Sequence, residues 1–155
     1  MKILIVGSGG REHAITWALK KNSAVSLDLY SAPGNPGIEE DATIVPIPFT
    51  DHSGLANFVG DEGIDLTFVG PEAPLAAGIV DHFVSKGLSI VGPNAAASRL
   101  ESSKVFAKDF MARHRVPTAT YKSADTPDEA LIHLRSGLFG NASNPVVVKA
   151  DGLAA

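Results

Sequence analysis

KILIVGSGGREH, residues 2–13, is the stretch of sequence that decides the fold. It joins a short apolar run, Lys2 to Val6, to a glycine-rich turn and then to a segment, Gly10 to Lys21, whose apolar residues recur near helical spacing. An apolar run stopped by glycine is typical of a buried strand, and apolar residues at that spacing are typical of a helix that buries one face. The sequence therefore begins with a predicted strand–turn–helix unit.

The same rhythm of short apolar runs and helix-like segments continues to about residue 92. The predicted strands cover 2–6, 25–30, 43–47, 66–69 and 88–91, and the predicted helices cover 10–21, 51–62 and 75–86. Strands that alternate with helices in this way form a parallel sheet with helices on both faces. We therefore predict the α/β fold class, with a Rossmann-like N-terminal domain over residues 1–92.

The chain changes character after a crossing segment, residues 93–102, which we interpret as a linker with a short helix at 95–100. Beyond it, the pattern predicts helices at 103–115 and 127–136 and strands at 118–122 and 145–149. Because Val146 to Val148 are all apolar, the last strand is expected to be buried. These elements are too few to enclose a core, so we interpret residues 103–155 as the first part of a second, truncated domain.

Composition narrows the classes of function. The chain has 155 residues of which 45% are hydrophobic, so it can form a core and is not a disordered protein. Its net charge of −4 argues against nucleic acid as the main partner. No apolar run approaches the roughly 18 residues of a membrane span, so we expect no membrane association. The chain has no cysteine. We expect a cytoplasmic protein, although the lack of cysteine fits any compartment.

The glycine-rich turn, Gly7 to Glu12, suits a phosphate or carboxylate ligand, because glycine allows close approach and a helix N-terminus presents free N–H groups. It is not a dinucleotide fingerprint, since Glu12 stands where that motif has its third glycine and Tyr30 and Ser31 stand where it has an acidic residue. No Gly-Lys dipeptide of the Walker type occurs. The alternative is a tight turn that binds nothing, in which Arg11 and Glu12 only decorate the helix end.

Three further clusters rich in glycine and proline follow predicted strands, at residues 33–37, 70–74 and 92–94. Ligands of doubly wound sheets collect at the carboxyl ends of the strands. We therefore predict a shared cleft formed by these clusters and the turn at residues 7–10. Glu72 is the only acid in its cluster; it would contact an amine or hydroxyls of a ligand, or else it is a carboxylate of a surface loop.

Several motifs together resemble the phosphoribosylamine–glycine ligase family of the ATP-grasp superfamily. They are Gly7 to Ala14 (GSGGREHA), Pro33 to Gly37 (PGNPG), Val69 to Gly78 (VGPEAPLAAG), Leu100 to Lys108 (LESSKVFAK) and Val148 to Ala155 (VKADGLAA). They occur in the family's order and extend over the whole chain. The resemblance implies a Rossmann-like pre-ATP-grasp domain followed by the start of an ATP-grasp α+β module.

The resemblance also implies an activity, its substrates and their sites. The activity would be ATP-dependent ligation of glycine to 5-phosphoribosylamine through a glycyl phosphate, in de novo purine biosynthesis, with ATP and Mg²⁺ as cofactors. Lys104 and Lys149 match lysines that contact the nucleotide in ATP-grasp enzymes. Without the resemblance, each would be interpreted as a solvated lysine. The residues expected to bind substrate are Gly7, Ser8, Gly9, Gly10, Arg11, Glu12, Gly70, Pro71 and Glu72.

The sequence also departs from the family. The Gly-Lys-rich loop over the ATP phosphates and the ligands for magnesium are expected outside this chain, so we assign it no catalytic and no metal-binding residue and expect it to be inactive alone. Two alternatives stay open. The first is a different ATP-grasp carboxylate–amine ligase. The second is a non-catalytic Rossmann-like module that binds a phosphorylated metabolite.

Overall fold

The computed structural model describes residues 1–139 and 145–153. The chain divides into two compact units, Met1–Ser98 (the N unit) and Arg99–Ala155 (the C unit). The five strands, all of the N unit, are β1 (Lys2–Gly7), β2 (Asp28–Pro33), β3 (Thr43–Ile44), β4 (Leu66–Val69) and β5 (Ile90–Val91). The helices are α1 (Gly10–Asn22), α2 (His52–Glu62), α3 (Glu72–Ala76), α4 (Ile79–Ser85), α5 (Ala95–Ser102), α6 (Lys104–Arg113) and α7 (Pro127–Arg135), with a 3-10 turn at Ile38–Glu40.

The N unit is built on one parallel sheet with the strand order β3-β2-β1-β4-β5. The chain builds the sheet outward from β1 in one direction as far as β3 and then crosses to β4 on the other side. The strand order therefore reverses beside β1. Open α/β sheets bind their ligands in a crevice at such a reversal, which here lies at the carboxyl ends of β1 and β4.

Each face of the sheet is covered by helices, and the alternation along β1 shows how. Leu4 and Val6 pack on one face with residues of α2 and α4, including the fully buried Phe83. Ile3 and Ile5 pack on the other face with Leu29 and with apolar residues of α1. A strand buried on both faces needs a continuous apolar run, which is what residues 3–6 supply. The predicted α/β class and parallel sheet are confirmed.

Four elements of the N unit have other bounds than predicted. The strands predicted at 43–47 and 88–91 are shorter, Thr43–Ile44 and Ile90–Val91. The second strand runs over Asp28–Pro33 and not 25–30, because β1 fixes its register by pairing Lys2 with Asp28 and Gly7 with Pro33. The helix predicted at 75–86 is two helices, α3 and α4. Gly78 separates them at φ +86, a left-handed conformation that ends a helix and that glycine adopts readily.

The two strands predicted in the C unit are also wrong. Residues 118–122 and 145–149 form no strand, and Val147 and Val148 are 75% and 77% exposed, so the last segment is not buried. A strand is stable only when its backbone groups pair with a neighbouring strand, and no strand occurs in the described residues of this unit. Of the residues described, no helix is long and apolar enough to cross a membrane.

Candidate functional site

The loops after β1, β2 and β4 are joined by hydrogen bonds at the carboxyl edge of the sheet. Gly34 N donates to the Gly7 carbonyl at 3.1 Å, and Gly70 N donates to the Val6 carbonyl at 3.0 Å. Asn35 Nδ2 donates to the Ser8 carbonyl at 2.8 Å. The structure therefore brings the glycine-rich turn together with the clusters at 33–37 and 70–74.

The turn between β1 and α1 depends on glycine at one position in particular. Gly7 has φ +134, in the region that side chains other than that of glycine rarely adopt. Gly9 is the N-cap of α1, which starts at Gly10. A Cβ added at Gly10 would meet no atom within 4 Å, so this side of the helix N-terminus is open.

Glu12 fills the crevice between the ends of β1 and β4. The residue is 4% exposed, and its Oε2 accepts a hydrogen bond from Gly9 N at 2.7 Å. A Cβ at Gly7 would lie 2.6 Å from Glu12 Cγ, and one at Gly70 would lie 2.5 Å from Glu12 Cδ. The glycines at both strand ends therefore leave the space that this carboxylate occupies. It stands where the dinucleotide motif has its third glycine.

Arg11 bridges the crevice from the other side of the turn. Its guanidinium donates to the Gly70 carbonyl at 2.6 Å and to Glu72 Oε1 at 2.8 Å. The hydrogen bond from Arg11, and then that from the Glu72 backbone N–H, hold the pKa of Glu72 below its ordinary value. Pro71 is the N-cap of α3, so Glu72 is the first residue of that helix. The predicted substrate residues of the two loops therefore lie in direct contact.

Sequence reasoning missed two residues at this edge, Asn35 and His13. Besides donating to Ser8, Asn35 accepts from the N–H groups of Gly37 and Ile38 through its Oδ1. His13 lies on α1 beside Gly37, where an added Cβ would be 2.6 Å from its Cε1. A signal for Asn35 was present, because asparagine in a Gly/Pro cluster commonly hydrogen-bonds the backbone two residues on. No comparable pattern in the sequence singled out His13.

The two predicted nucleotide residues lie in the C unit. Lys104 is the first residue of α6, and its Nζ donates to the Gly152 carbonyl at 2.7 Å. Lys149 is exposed, three residues before Gly152. The hydrogen bond from Lys104 therefore joins the start of α6 to the segment that carries Lys149. The last two residues of the VKADGLAA motif, 154 and 155, lie outside the described residues.

Within residues 1–139 and 145–153, no group of three or more histidine or acidic side chains is arranged to hold a metal ion.

The chain matches two models of one known protein family. Residues 1–101 match the family model described as "Phosphoribosylglycinamide synthetase, N domain". The chain belongs to the phosphoribosylglycinamide synthetase family. Residues 102–155 match the model for the same family's ATP-grasp (A) domain. The resemblance inferred from the motifs is confirmed.

Three relatives of the chain carry the name phosphoribosylamine–glycine ligase. The chain is 52% identical over 156 residues to a phosphoribosylamine–glycine ligase of Ralstonia nicotianae and 48% identical over 157 residues to that of Escherichia coli. It is covered completely in both comparisons but spans only 35% of the length of each relative. The crystal structure of the phosphoribosylamine–glycine ligase of Thermotoga maritima matches 99% of the chain, with 30% identity, a TM-score of 0.70 and 34% of that protein covered.

Proposed function

We propose that this chain is the N-terminal part of an ATP-dependent ligase that joins glycine to 5-phosphoribosylamine, giving glycinamide ribonucleotide, ADP and phosphate. The glycine carboxylate would attack the γ-phosphate of ATP, and the amine of phosphoribosylamine would then attack the glycyl phosphate and displace phosphate. The observation that carries the proposal is the arrangement of Arg11, Glu12 and Glu72 between the ends of β1 and β4, in a chain of this family. The reaction belongs to the whole protein, since the chain spans 35% of its relatives.

We assign phosphoribosylamine to the carboxyl edge of the N unit, with its phosphate at the start of α1. The space beside Gly10 is open, and the N-terminus of a 13-residue helix favours an anion. Arg11 is the nearest guanidinium along the chain and matches the geometry of phosphate oxygens. Its bond to Glu72 is partly exposed, so exchanging that partner for a phosphate costs little.

Glu12 sets the direction in which the substrate binds. Its buried carboxylate repels a phosphate, and one of its oxygens is already bonded to Gly9 N–H. The carboxylate therefore favours the hydrogen-bond donors of the ligand, the ribose hydroxyls and the amine. Glu72 offers a second acceptor on the same edge when Arg11 turns to the phosphate. The remaining predicted residues of the two loops offer backbone groups to the ligand and let it approach the backbone closely. They are Gly7, Ser8, Gly9, Gly70 and Pro71.

We assign ATP to the C unit, with Lys104 and Lys149 as its ligands. An ammonium group has three donors, and Lys104 spends one of them on the Gly152 carbonyl, which leaves two for a nucleotide. Lys149 is exposed and lies three residues before Gly152. ATP supplies the phosphoryl group that activates glycine; catalytic residues and a magnesium site are proposed for the rest of the protein. The two units correspond, in this proposal, to the substrate domain and the start of the ATP-grasp domain.

Titration with ribose 5-phosphate, a stable compound that carries the same phosphate and hydroxyls, tests the N-unit site. We expect it to shift the amide resonances of the turn at residues 7–12 in the wild type. Arg11→Ala removes a charge-assisted bond and is expected to weaken binding about tenfold or more. Arg113→Ala, which removes an exposed arginine of the C unit, is the matched control and is expected to bind as the wild type does.

Equal affinities of the wild type and Arg11→Ala would contradict the assignment of the phosphate to Arg11. A second titration, with magnesium–ATP, distinguishes the proposed ligase from a module that only binds a phosphorylated metabolite. The module predicts a response to ribose 5-phosphate alone, whereas the ligase predicts an additional response of the C unit to ATP that weakens in Lys104→Ala.

A further inference from the structure

The carboxylate of Asp151 holds the N-terminus of α6, although 46 to 48 residues of sequence separate them. Its Oδ1 accepts from Lys104 N at 2.6 Å and from Val105 N at 3.2 Å, and its Oδ2 accepts from Ser103 Oγ at 3.1 Å. Ser103 Oγ in turn accepts from Phe106 N at 3.1 Å. The first three N–H groups of the helix, which have no partner within a helix, are therefore all bonded by these two side chains.

The same segment also holds the other end of Lys104. Lys104 Nζ donates to the Gly152 carbonyl, and Gly152 has φ +104, which glycine adopts and other residues rarely do. We name Ser103, Lys104, Asp151 and Gly152 the α6 clasp. The clasp fixes Lys104 twice, at its backbone N–H through Asp151 and at its ammonium through Gly152.

The electrostatics favour a charged Asp151 in this place. The hydrogen bonds from Val105 N–H first, and then those from Ser103 and Lys104, lower the pKa of its carboxyl. A negative charge at the first turn of a helix also interacts favourably with the helix dipole. The carboxylate thus competes with any other anion for these N–H groups, so a nucleotide phosphate bound nearby has to be held by side chains rather than by the end of α6.

We propose that Asp151 is a positioning residue for nucleotide binding, which acts by holding Lys104 in place for the phosphates or the base of ATP. The inference rests on the proposed assignment of ATP to Lys104. Freeing a long side chain in the unbound protein adds an ordering cost to binding, of a size that corresponds to about a threefold to tenfold loss of affinity. Asp151 itself is not a ligand of the nucleotide in this proposal.

The test is a titration of the complete 155-residue chain with magnesium–ATP, followed by the amide resonances of the C unit. We expect Asp151→Ala to bind about three to ten times more weakly than the wild type. Asp151→Asn keeps an oxygen that accepts from Lys104 N and is expected to recover most of the affinity. Asp128→Ala removes a carboxylate from the first turn of α7 in the same unit and serves as the matched control.

A double-mutant cycle with Lys104→Ala separates positioning from general damage to the unit. If Asp151 acts through Lys104, the variant that carries both changes binds ATP as Lys104→Ala alone does. Unchanged binding in Asp151→Ala, or losses that multiply in the double variant, would overturn the inference while leaving the ATP site in place. If Lys104→Ala binds as the wild type does, the ATP assignment itself fails and the inference with it.

Fraying of α6 is the simplest way for Asp151→Ala to mislead, and two measurements exclude it. Hydrogen exchange at Lys108 and Asp109, whose N–H groups lie past the first turn of α6, reports whether the rest of the helix persists. Binding of ribose 5-phosphate to the N unit reports whether the rest of the chain is intact, and it is expected to be unchanged. If α6 loses its protection in Asp151→Ala, the weaker binding of ATP follows from loss of the helix and not from the position of Lys104, and the inference is overturned.

Discussion

Replacing Gly70 by alanine tests whether the crevice is shaped around the Glu12 carboxylate. Gly70 is buried and its backbone conformation is open to alanine, so the substitution changes only the space that the residue fills. The new Cβ would lie 2.5 Å from Glu12 Cδ and would also meet Oε1. Contacts this short are repulsive, so the carboxylate must move away.

The cost follows from what Glu12 loses when it moves. The bond from Gly9 N to Glu12 Oε2 is 2.7 Å long and involves a charged acceptor, and breaking such a bond costs about 1.5–3 kcal/mol. We therefore expect Gly70→Ala to lower the free energy of unfolding of the N unit by about 2 kcal/mol. For a unit of this size, that loss corresponds to a fall in Tm of about 8–16 °C.

Urea unfolding followed by tryptophan fluorescence measures this cost directly. Trp17 is the only tryptophan of the chain and lies on α1, the helix that carries Glu12. Gly60→Ala is the matched control, since a Cβ there meets no atom within 4 Å and the exchange in the α2 helix is expected to stabilise it by about 0.5–1 kcal/mol.

The decisive measurement is the effect of Gly70→Ala in a chain that already carries Glu12→Ala. With the carboxylate removed, alanine at position 70 has room, and its cost is expected to fall within about 0.5 kcal/mol of zero. If instead the two single losses add in the double variant, Glu12 is not what occupies the space beside Gly70, and the description of the crevice is refuted.

Two further predictions concern ionisable side chains of the N unit. Burial first, and then the nearby His82, lower the pKa of His52, and Asp51 partly opposes this shift. The folded unit therefore favours neutral His52 and should lose stability as the pH falls below about 6.5. We expect His52→Phe to flatten that part of a plot of urea midpoint against pH, and identical slopes in the variant and the wild type would contradict the role of His52. The hydrogen bond from Arg11 lowers the pKa of Glu72, so the stability that this exposed pair contributes, about 0.2–1 kcal/mol, should be present above pH 4.5 and be lost as the pH falls further. We expect Glu72→Gln to remove this contribution at neutral pH. A variant as stable as the wild type at that pH would show that the pair contributes nothing.

The carboxyl edge of the sheet was predictable because its signals are local. Each strand end carries glycine or proline within a few residues, and parallel strands place those ends on one side. The start of β2 was not predictable in the same way. Val25 and Leu27 continue an alternating pattern, but pairing with β1 places the strand at Asp28–Pro33, through residues whose own preferences favour a turn.

The strands predicted in the C unit failed because their formation depends on contacts that are distant in sequence. Val146 to Val148 have high intrinsic strand preference, and the prediction of a buried strand followed from it. A strand forms only where its backbone groups find hydrogen-bond partners, and the sequence of the segment does not show whether a partner strand is present. The bond between Asp151 and α6 was equally hidden, since a helix cap is ordinarily sought next to the helix and not 46 residues or more along the chain.

The identity of residue 12 is the most informative departure in the sequence, because it reverses the charge preference of the site. A glycine there lets a helix pack closely and leaves its N-terminus free for a pyrophosphate. Glu12 instead places its own carboxylate at that N-terminus, where it accepts a hydrogen bond from Gly9 N–H. In the proposed site, the phosphate is therefore held to the side, by Arg11, while the carboxylate attracts hydrogen-bond donors. The proposed ligand, phosphoribosylamine, has a phosphate at one end and an amine with hydroxyls at the other, and so satisfies both demands.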